Sequence, residues 1–363
     1  MDNELRHHAH EMVREVAQAV GASANEATLR HQLEMILEHH CRALGIPWVT
    51  FQLDQSLGSQ NGSVQFVDVA HGAVVIEYEA PGRFGGRSGA DLAHARSQAE
   101  DYGRRLHAQE GRPLGEYVLV VWDGRDISFG RFVDDGPYWD PLAPFDVNAA
   151  LRLLLHLKEN GVPLVHPDLL CQLVGPDSAV GFRLVPLFFD SIRRAVSAAD
   201  VTSKTKLLFM EWRRLFGQVA GVQSEQLKVL LARQERVHGK PYAEHPAAYL
   251  FALNTYIALV AKLVAAMSLP NGSEDLRDPN TPLVEKIRAV ESGDLFRDAG
   301  ISNMLVGDFF SWYRDDSGWQ DFAGPIEELI AVLGAMNFDM AQRDPNTTRD
   351  LFKGMYQRFV PKA

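Results

Sequence analysis

No lysine precedes Lys158, and only two cysteines, Cys41 and Cys171, occur in 363 residues. Two thiols so far apart exclude a disulfide framework, and neither has a partner at metal-ligand spacing, so both read as small buried apolar residues. The longest apolar run, around residues 256–269, contains Lys262 and reads as amphipathic, so no transmembrane span is indicated. The start, Met1-Asp-Asn-Glu-Leu-Arg, has no apolar signal core. A cytoplasmic location is the default. The shortage of cationic side chains is also local. Up to Asp140 there are 12 Arg against 21 Asp plus Glu, a balance of −9 out of the total of −11, which leaves −2 for the remainder. Such an acidic first region excludes avid, sequence-blind DNA binding by its whole surface, because that binding rests on neutralising phosphates. Contact with nucleic acid would have to be local, metal-assisted or supplied by a partner.

What is present is the composition of a soluble globular protein, 46% hydrophobic and 23% charged, with length enough for two domains. Residues 4–44 show helical periodicity with a cap-like break at Ser23-Ala-Asn-Glu26, and Leu29, Leu33, Ile36 and Leu37 form an apolar stripe. Strands are expected near 49–53, 64–69, 74–78, 117–122 and 127–132. A helix over 91–109 lies between the third and fourth. Trp122-Asp-Gly-Arg125 is a hairpin signal, since Asp-Gly readily supplies positive φ. The breaks Asp-Gly-Pro, Asp-Pro and Ala-Pro between 134 and 144 mark a linker. Beyond it helices are expected over 147–159, 188–199, 204–217, 224–236, 243–268, 282–291, 324–337 and 347–359. The expected fold class is α+β, a mixed sheet domain over 1–140, connecting helices over 141–200 and an all-α domain over 201–363.

Polar chemistry concentrates at one place in a core element. Val74-Val-Ile-Glu-Tyr-Glu79 places three β-branched residues before the turn signal Ala80-Pro81-Gly82 and therefore reads as a buried strand. Alternation puts Glu77 and Glu79 on one face and Tyr78 on the other. Carboxylates crowded at a strand end repel one another unless a cation or protons intervene. With Asp68 they make a plausible magnesium site for phosphodiester hydrolysis, hard oxygen ligands for a hard cation. The plainer alternative is a set of solvated or Arg-paired carboxylates.

Asp68, Glu77-x-Glu79 and, further on, Gln98-Ala-Glu-Asp-Tyr102 resemble the PD-(D/E)xK nuclease superfamily. Its core is a helix, a strand hairpin bearing Asp and (Glu/Asp)-x-Lys, and a helix that in some branches carries Gln-x-x-x-Tyr. The resemblance implies a restriction-endonuclease-like fold, Mg2+ (or Mn2+) held by Asp68 and Glu77, a water-positioning role for Glu79, and Gln98 and Tyr102 orienting the site or the DNA beside it. A helical Glu ahead of the sheet often completes such a site; Glu26 and Glu34 are candidates, with Glu34 preferred. Glu79 departs from the pattern, standing where the family usually has Lys, which removes the customary help for charge developing on the phosphorus.

Three later segments, Tyr249 to Lys262, Gly300 to Tyr313 and Leu351 to Pro361, look like the helical region that precedes the methyltransferase domain in type IIG-like and phage-defence N6-adenine DNA methyltransferases. The resemblance implies a DNA-cleaving module or subunit of a restriction-modification or anti-phage system. Its partners would be DNA, a methyltransferase domain or subunit, or other defence-system subunits, with no membrane role. The adenine-site Asn/Asp-Pro-Pro-Tyr/Phe motif and a glycine-rich cofactor loop are both missing, so the chain is not expected to methylate DNA by itself. The alternative is a catalytically degenerate scaffold that holds DNA and docks a methyltransferase.

Other features read more plainly. His7-His-Ala-His10 and His39-His40-Cys41 lie in helical patterns without His-Glu-x-x-His, and are expected to be solvated helix faces. The glycines of 82–89 lack a Walker pattern, and Arg83 and Arg87 there suggest an arginine loop over the carboxylates. Phe309, Phe310, Trp312 and Tyr313 are expected to pack between helices rather than to stack on bases.

Overall fold

The computed structural model describes residues 2–49, 51–52, 69–85, 89–134, 136–198, 203–216, 225–269, 272–301, 309–338 and 345–359. The fold is mixed α+β and mostly helical, and it divides into two compact units, Met1–Leu164 with Ala335–Asn337, and Val165–Gly334 with Phe338–Ala363.

In the first unit, α1 (Asp2–Ala22) and α2 (Glu26–Ala43) are separated where expected. Asn25 caps α2, its side-chain oxygen accepting the Thr28 N–H at 2.9 Å. Among the described residues the sheet has seven strands: β1 (Phe51–Gln52), β2 (Val69–His71), β3 (Val74–Tyr78), β4 (Val118–Trp122), β5 (Asp126–Val133), β6 (Gly136–Trp139) and β7 (Ala143–Pro144). Strands β1 to β6 lie in chain order and β7 pairs with β5. Every pairing is antiparallel except β3 with β4, which run parallel in the register Val75 to Leu119 and Glu77 to Val121. A parallel pair needs a crossover, and α3 (Ala90–Glu110) supplies it.

Helices cover both faces of the central strands, which is why Val-Val-Ile and Val-Leu-Val-Val read as continuous apolar runs rather than alternating ones. On one face Val74, Ile76, Tyr78, Val120, Trp122 and Ile127 share a core with Leu29, Leu33 and Leu37 of α2, Met12 and Val16 of α1, and Leu153, Leu154 and Leu157 of α4 (Val147–Asn160). On the other face α3 buries Ala95, Ala99 and Leu106. It comes so close that a Cβ on Gly103 would stand 2.9 Å from the Phe132 ring and 3.1 Å from Leu119.

Two turns fix the register. At the β4–β5 hairpin Gly124 has φ +82°, and the buried Asp123 carboxylate accepts the N–H groups of Arg125 (2.9 Å), Asp126 (2.7 Å) and Phe84 (2.9 Å). At the β2–β3 turn Gly72 has φ +58° and sits against the end of α4, where a Cβ would meet the Asn160 carbonyl oxygen at 2.4 Å. Ala73 donates its N–H to that same oxygen at 2.7 Å.

The expected linker is partly sheet. Gly136–Trp139 and Ala143–Pro144 pair with β5, and proline is tolerated there because these are short outer strands. Helix α4 packs in the first-unit core, so the stretch 141–200 divides at Leu164 instead of forming one connector. The strand expected over 64–69 falls outside the described residues except for Val69.

Among its described residues the second unit is helical: α5 (Pro167–Val174), α6 (Ala179–Ser197), α7 (Lys204–Phe216), α8 (Glu225–His238), α9 (Pro246–Met267), α10 (Gly272–Arg277), α11 (Leu283–Ser292), α12 (Asp294–Asp298), α13 (Trp319–Gly334) and α14 (Pro345–Phe359). Helices α6 and α13 begin earlier than expected because Pro186 and Pro325 lie inside them. Burial of the surrounding apolar face outweighs the lost backbone bond.

Helix α9 corrects the amphipathic reading. It is long and apolar enough to cross a membrane by length and composition, but 72% of its most apolar window is buried inside the protein. Its buried residues, Phe251, Leu253, Tyr256, Leu259, Val260 and Leu263 among them, occupy every side, as in a central core helix. Lys262 meets Glu291 at 2.6 Å. Trp312 and Tyr313 are fully buried, donating to Thr255 (2.9 Å) and Glu291 (2.6 Å), so this pair packs the core as expected.

Candidate metal centre at the end of the third strand

Glu77 is the fourth residue of β3 and only 4% exposed. Alternation along the strand turns it, with Val75, toward α3. Glu79 lies just beyond the strand, yet its N–H still donates to the Trp122 carbonyl at 3.0 Å, so the chain keeps following β4. The Glu79 carboxyl is half-buried and held above the ordinary carboxylate range. Burial is the main cause and repulsion from Glu26 at the start of α2 adds to it, with Arg83 and His94 opposing and Asp91 reinforcing. Two carboxylates thus end one strand, and a third faces the second of them from a helix.

The turn that follows carries cations. Arg83 opens a short 3-10 turn (Arg83–Gly85) and pairs with Asp91 at 3.0 Å. Its neighbour Phe84 is anchored by Asp123. The Arg125 guanidinium lies over Gly82, where a Cβ would meet Nη1 at 3.3 Å. Both arginines are exposed. Arg87 falls outside the described residues.

Gln98 and Tyr102 stand one turn apart on α3, half-buried and buried respectively. They lie on the flank that carries Ala95, Ala99 and Leu106 toward the sheet, which is the side Glu77 faces. The Arg105 guanidinium covers the Tyr102 ring at 5.3 Å.

Two expected members stand apart. Asp68 lies outside the described residues. Glu34 is not brought to Glu77: it projects from α2 onto the opposite face of the sheet, accepting the Tyr78 hydroxyl at 2.5 Å and meeting His71 Nε2 at 3.2 Å. His71 in turn stacks on Trp48 at 3.9 Å between ring centres. Burial alone would raise the Glu34 carboxyl, but His71, Tyr78 and Arg30 together hold it below its ordinary value. Period-2 alternation separates neighbours in β3: Tyr78 points to α2, so Glu34 follows Tyr78 and not Glu77. Of the two helical candidates, Glu26 is the one whose charge acts on Glu79.

The structure also brings together a group that the helical pattern alone presents as solvated faces. Ligand atoms of His8, Glu11 and His40 lie within 4.8 Å of one another. The signal was present as His8, Glu11 and Glu15 at i, i+3 and i+7, one stripe of α1. The missing information was that the stripe meets His40.

Against known proteins, no family model, curated sequence or solved structure matches this chain. The chemistry therefore rests on the residues. Glu77 and Glu79 offer hard oxygen donors, and a divalent cation would oppose the burial and the repulsion from Glu26 that raise the Glu79 carboxyl. Carboxylate oxygens of this kind are donors that hard divalent cations take.

Proposed function

We propose that the first unit is a PD-(D/E)xK-like, metal-dependent DNA endonuclease module of a cytoplasmic restriction-modification or anti-phage system, acting with a methyltransferase domain or another defence subunit. The observation carrying this reading is the order of elements around Glu-x-Glu: a helix, an antiparallel hairpin whose inner strand ends in the dyad, and a helix bearing Gln98 and Tyr102 on the side Glu77 faces. Glu77 and Glu79, with Asp68 as the expected third carboxylate, would hold Mg2+ or Mn2+. A metal there supplies an activated water and neutralises phosphate charge. Gln98 and Tyr102 would orient the site from α3, and Arg83 and Arg125, the exposed cations of the turns beside the strand end, would meet a phosphodiester there, Arg83 exchanging its Asp91 partner.

The second reading is a non-cleaving scaffold that holds DNA and docks a methyltransferase. What favours it is Glu79 itself, an acid where the superfamily uses Lys, with no lysine earlier than Lys158 to replace it.

The two readings separate in a plasmid assay. Supercoiled DNA with Mg2+ or Mn2+ should be nicked by the protein and left intact by Glu77→Ala and by chelated samples, with circular dichroism confirming that the variant folds. Equal nicking by Glu77→Ala, or none by the wild type with and without a methyltransferase partner, would leave the scaffold reading standing.

A further inference from the structure

We propose that His8, Glu11 and His40 form a zinc site that ties α1 to α2, separate from the Glu77–Glu79 centre and independent of the nuclease reading. Imidazole and carboxylate donors of this kind are what Zn2+ takes in three-ligand sites, leaving a fourth position for water. His8 and Glu11 are half-buried at the surface of the helix pair, and His40 is fully buried beneath them, so the set has one interior anchor and an open side.

The geometry around His40 resembles a ligand imidazole. Its Nδ1 stands 2.9 Å from the Nδ1 of His8. Two nitrogens bound to one tetrahedral zinc at about 2.0–2.1 Å lie roughly 3.3 Å apart, so the rings need to separate by only a few tenths of an ångström. On its other side His40 Nε2 comes within 3.3 Å of a Glu15 carboxylate oxygen, close but not aligned as a hydrogen bond. With zinc on Nδ1 the proton would sit on Nε2, where the Glu15 carboxylate stands close enough to take up the hydrogen bond, the arrangement that orients metal-bound histidines. His7 and the Arg14 guanidinium each approach the Glu11 carboxylate, at 3.5 and 3.8 Å, both from exposed positions, so zinc would compete with a loose surface pairing, and His39 adjoins His40 with ring centres 5.2 Å apart.

Zinc titrated calorimetrically into the chelator-stripped full chain should bind with one high-affinity equivalent and raise the thermal midpoint, and cobalt in its place should show tetrahedral visible absorption. His8→Ala and Glu11→Gln, both at half-buried positions, should abolish that equivalent while their metal-free melting matches the wild type. Glu15→Gln should weaken it by about 10–100-fold, and His10→Ala and Glu77→Ala should leave it unchanged. The proposal is overturned if the wild type shows no saturable zinc binding, if His8→Ala and Glu11→Gln retain full affinity, or if Glu77→Ala removes the equivalent.

Discussion

In the second unit, Lys262 and Glu291 meet at 2.6 Å inside the core and Tyr313 donates to the same carboxylate. Nearby, Asp316 accepts from Ser191 (2.6 Å), Thr205 (2.7 Å) and the Gly318 N–H (2.8 Å). Each acid is answered by donors, most of them supplied from other elements. In the first unit, Glu79 faces Glu26 and Asp91 as well as Arg83, and His40 faces His8, nitrogen to nitrogen. Here like groups are set against like. Buried polarity that is satisfied internally specifies packing, whereas polarity crowded with its own kind stores a preference for something to be bound. That contrast is the reason both sites proposed above are placed in the first unit.

The largest effect should come from opening the closed network. Glu291→Ala removes the partner of a buried ammonium and should cost about 3–5 kcal/mol in urea unfolding, while the double change Lys262→Met with Glu291→Leu should recover most of it. A single-variant loss under about 1 kcal/mol, the range of exposed pairs, would break the comparison. Next comes pH. Burial, assisted by Arg358 and opposed by Asp168, pushes His166 down to about 4. The unfolded chain, titrating near pH 6.5, then binds the extra proton between these values. The resulting stability is complete above about pH 6.5 and is lost as pH falls to about 4, amounting to roughly 3 kcal/mol. Unfolding measured at pH 7 and pH 4 should show this slope in the wild type and a flatter one in His166→Asn. The smallest effect sharpens the division within the first unit. Tyr78→Phe deletes a donor to a charged carboxylate and should cost about 1.5–3 kcal/mol, and Glu34→Gln should destabilise as well, yet neither should change DNA nicking if the cleavage chemistry lies on the Glu77 face. Loss of nicking in a folded Glu34→Gln protein would return Glu34 to the site.

Local signals carried much of this architecture. The β-branched run at 74–76, the Asn25 cap and the Asp123-Gly124 turn each specify their own geometry within a few residues, and each element appears where those residues place it. What the chain did not disclose locally depends on partners distant in sequence. Glu34 lies on α2, and only the strand's facing decides that it meets Tyr78 and not Glu77. His8 and His40 are 32 residues apart, and neither helix alone marks the pair as a cluster. Proline misled in both directions: Pro186 and Pro325 lie inside helices, and Pro137 and Pro144 inside outer strands, because tertiary burial and edge position override a local breaker.

The tight turn at Gly72 has a consequence for how chains of this kind can vary in length. An extra residue there has no room to bulge, since the Asn160 carbonyl already touches the space a side chain would need. If the addition were instead absorbed by sliding β3 one place along β4, every side chain of the strand would change faces, sending Glu77 toward α2 and Tyr78 toward α3. Insertions are therefore expected to accumulate at open connections such as Gly111, where a Cβ meets nothing within 4 Å, while the spacing from residue 72 to the dyad stays fixed. The turn works as a ruler for the acidic pair, set by the end of a helix rather than by the strand it measures.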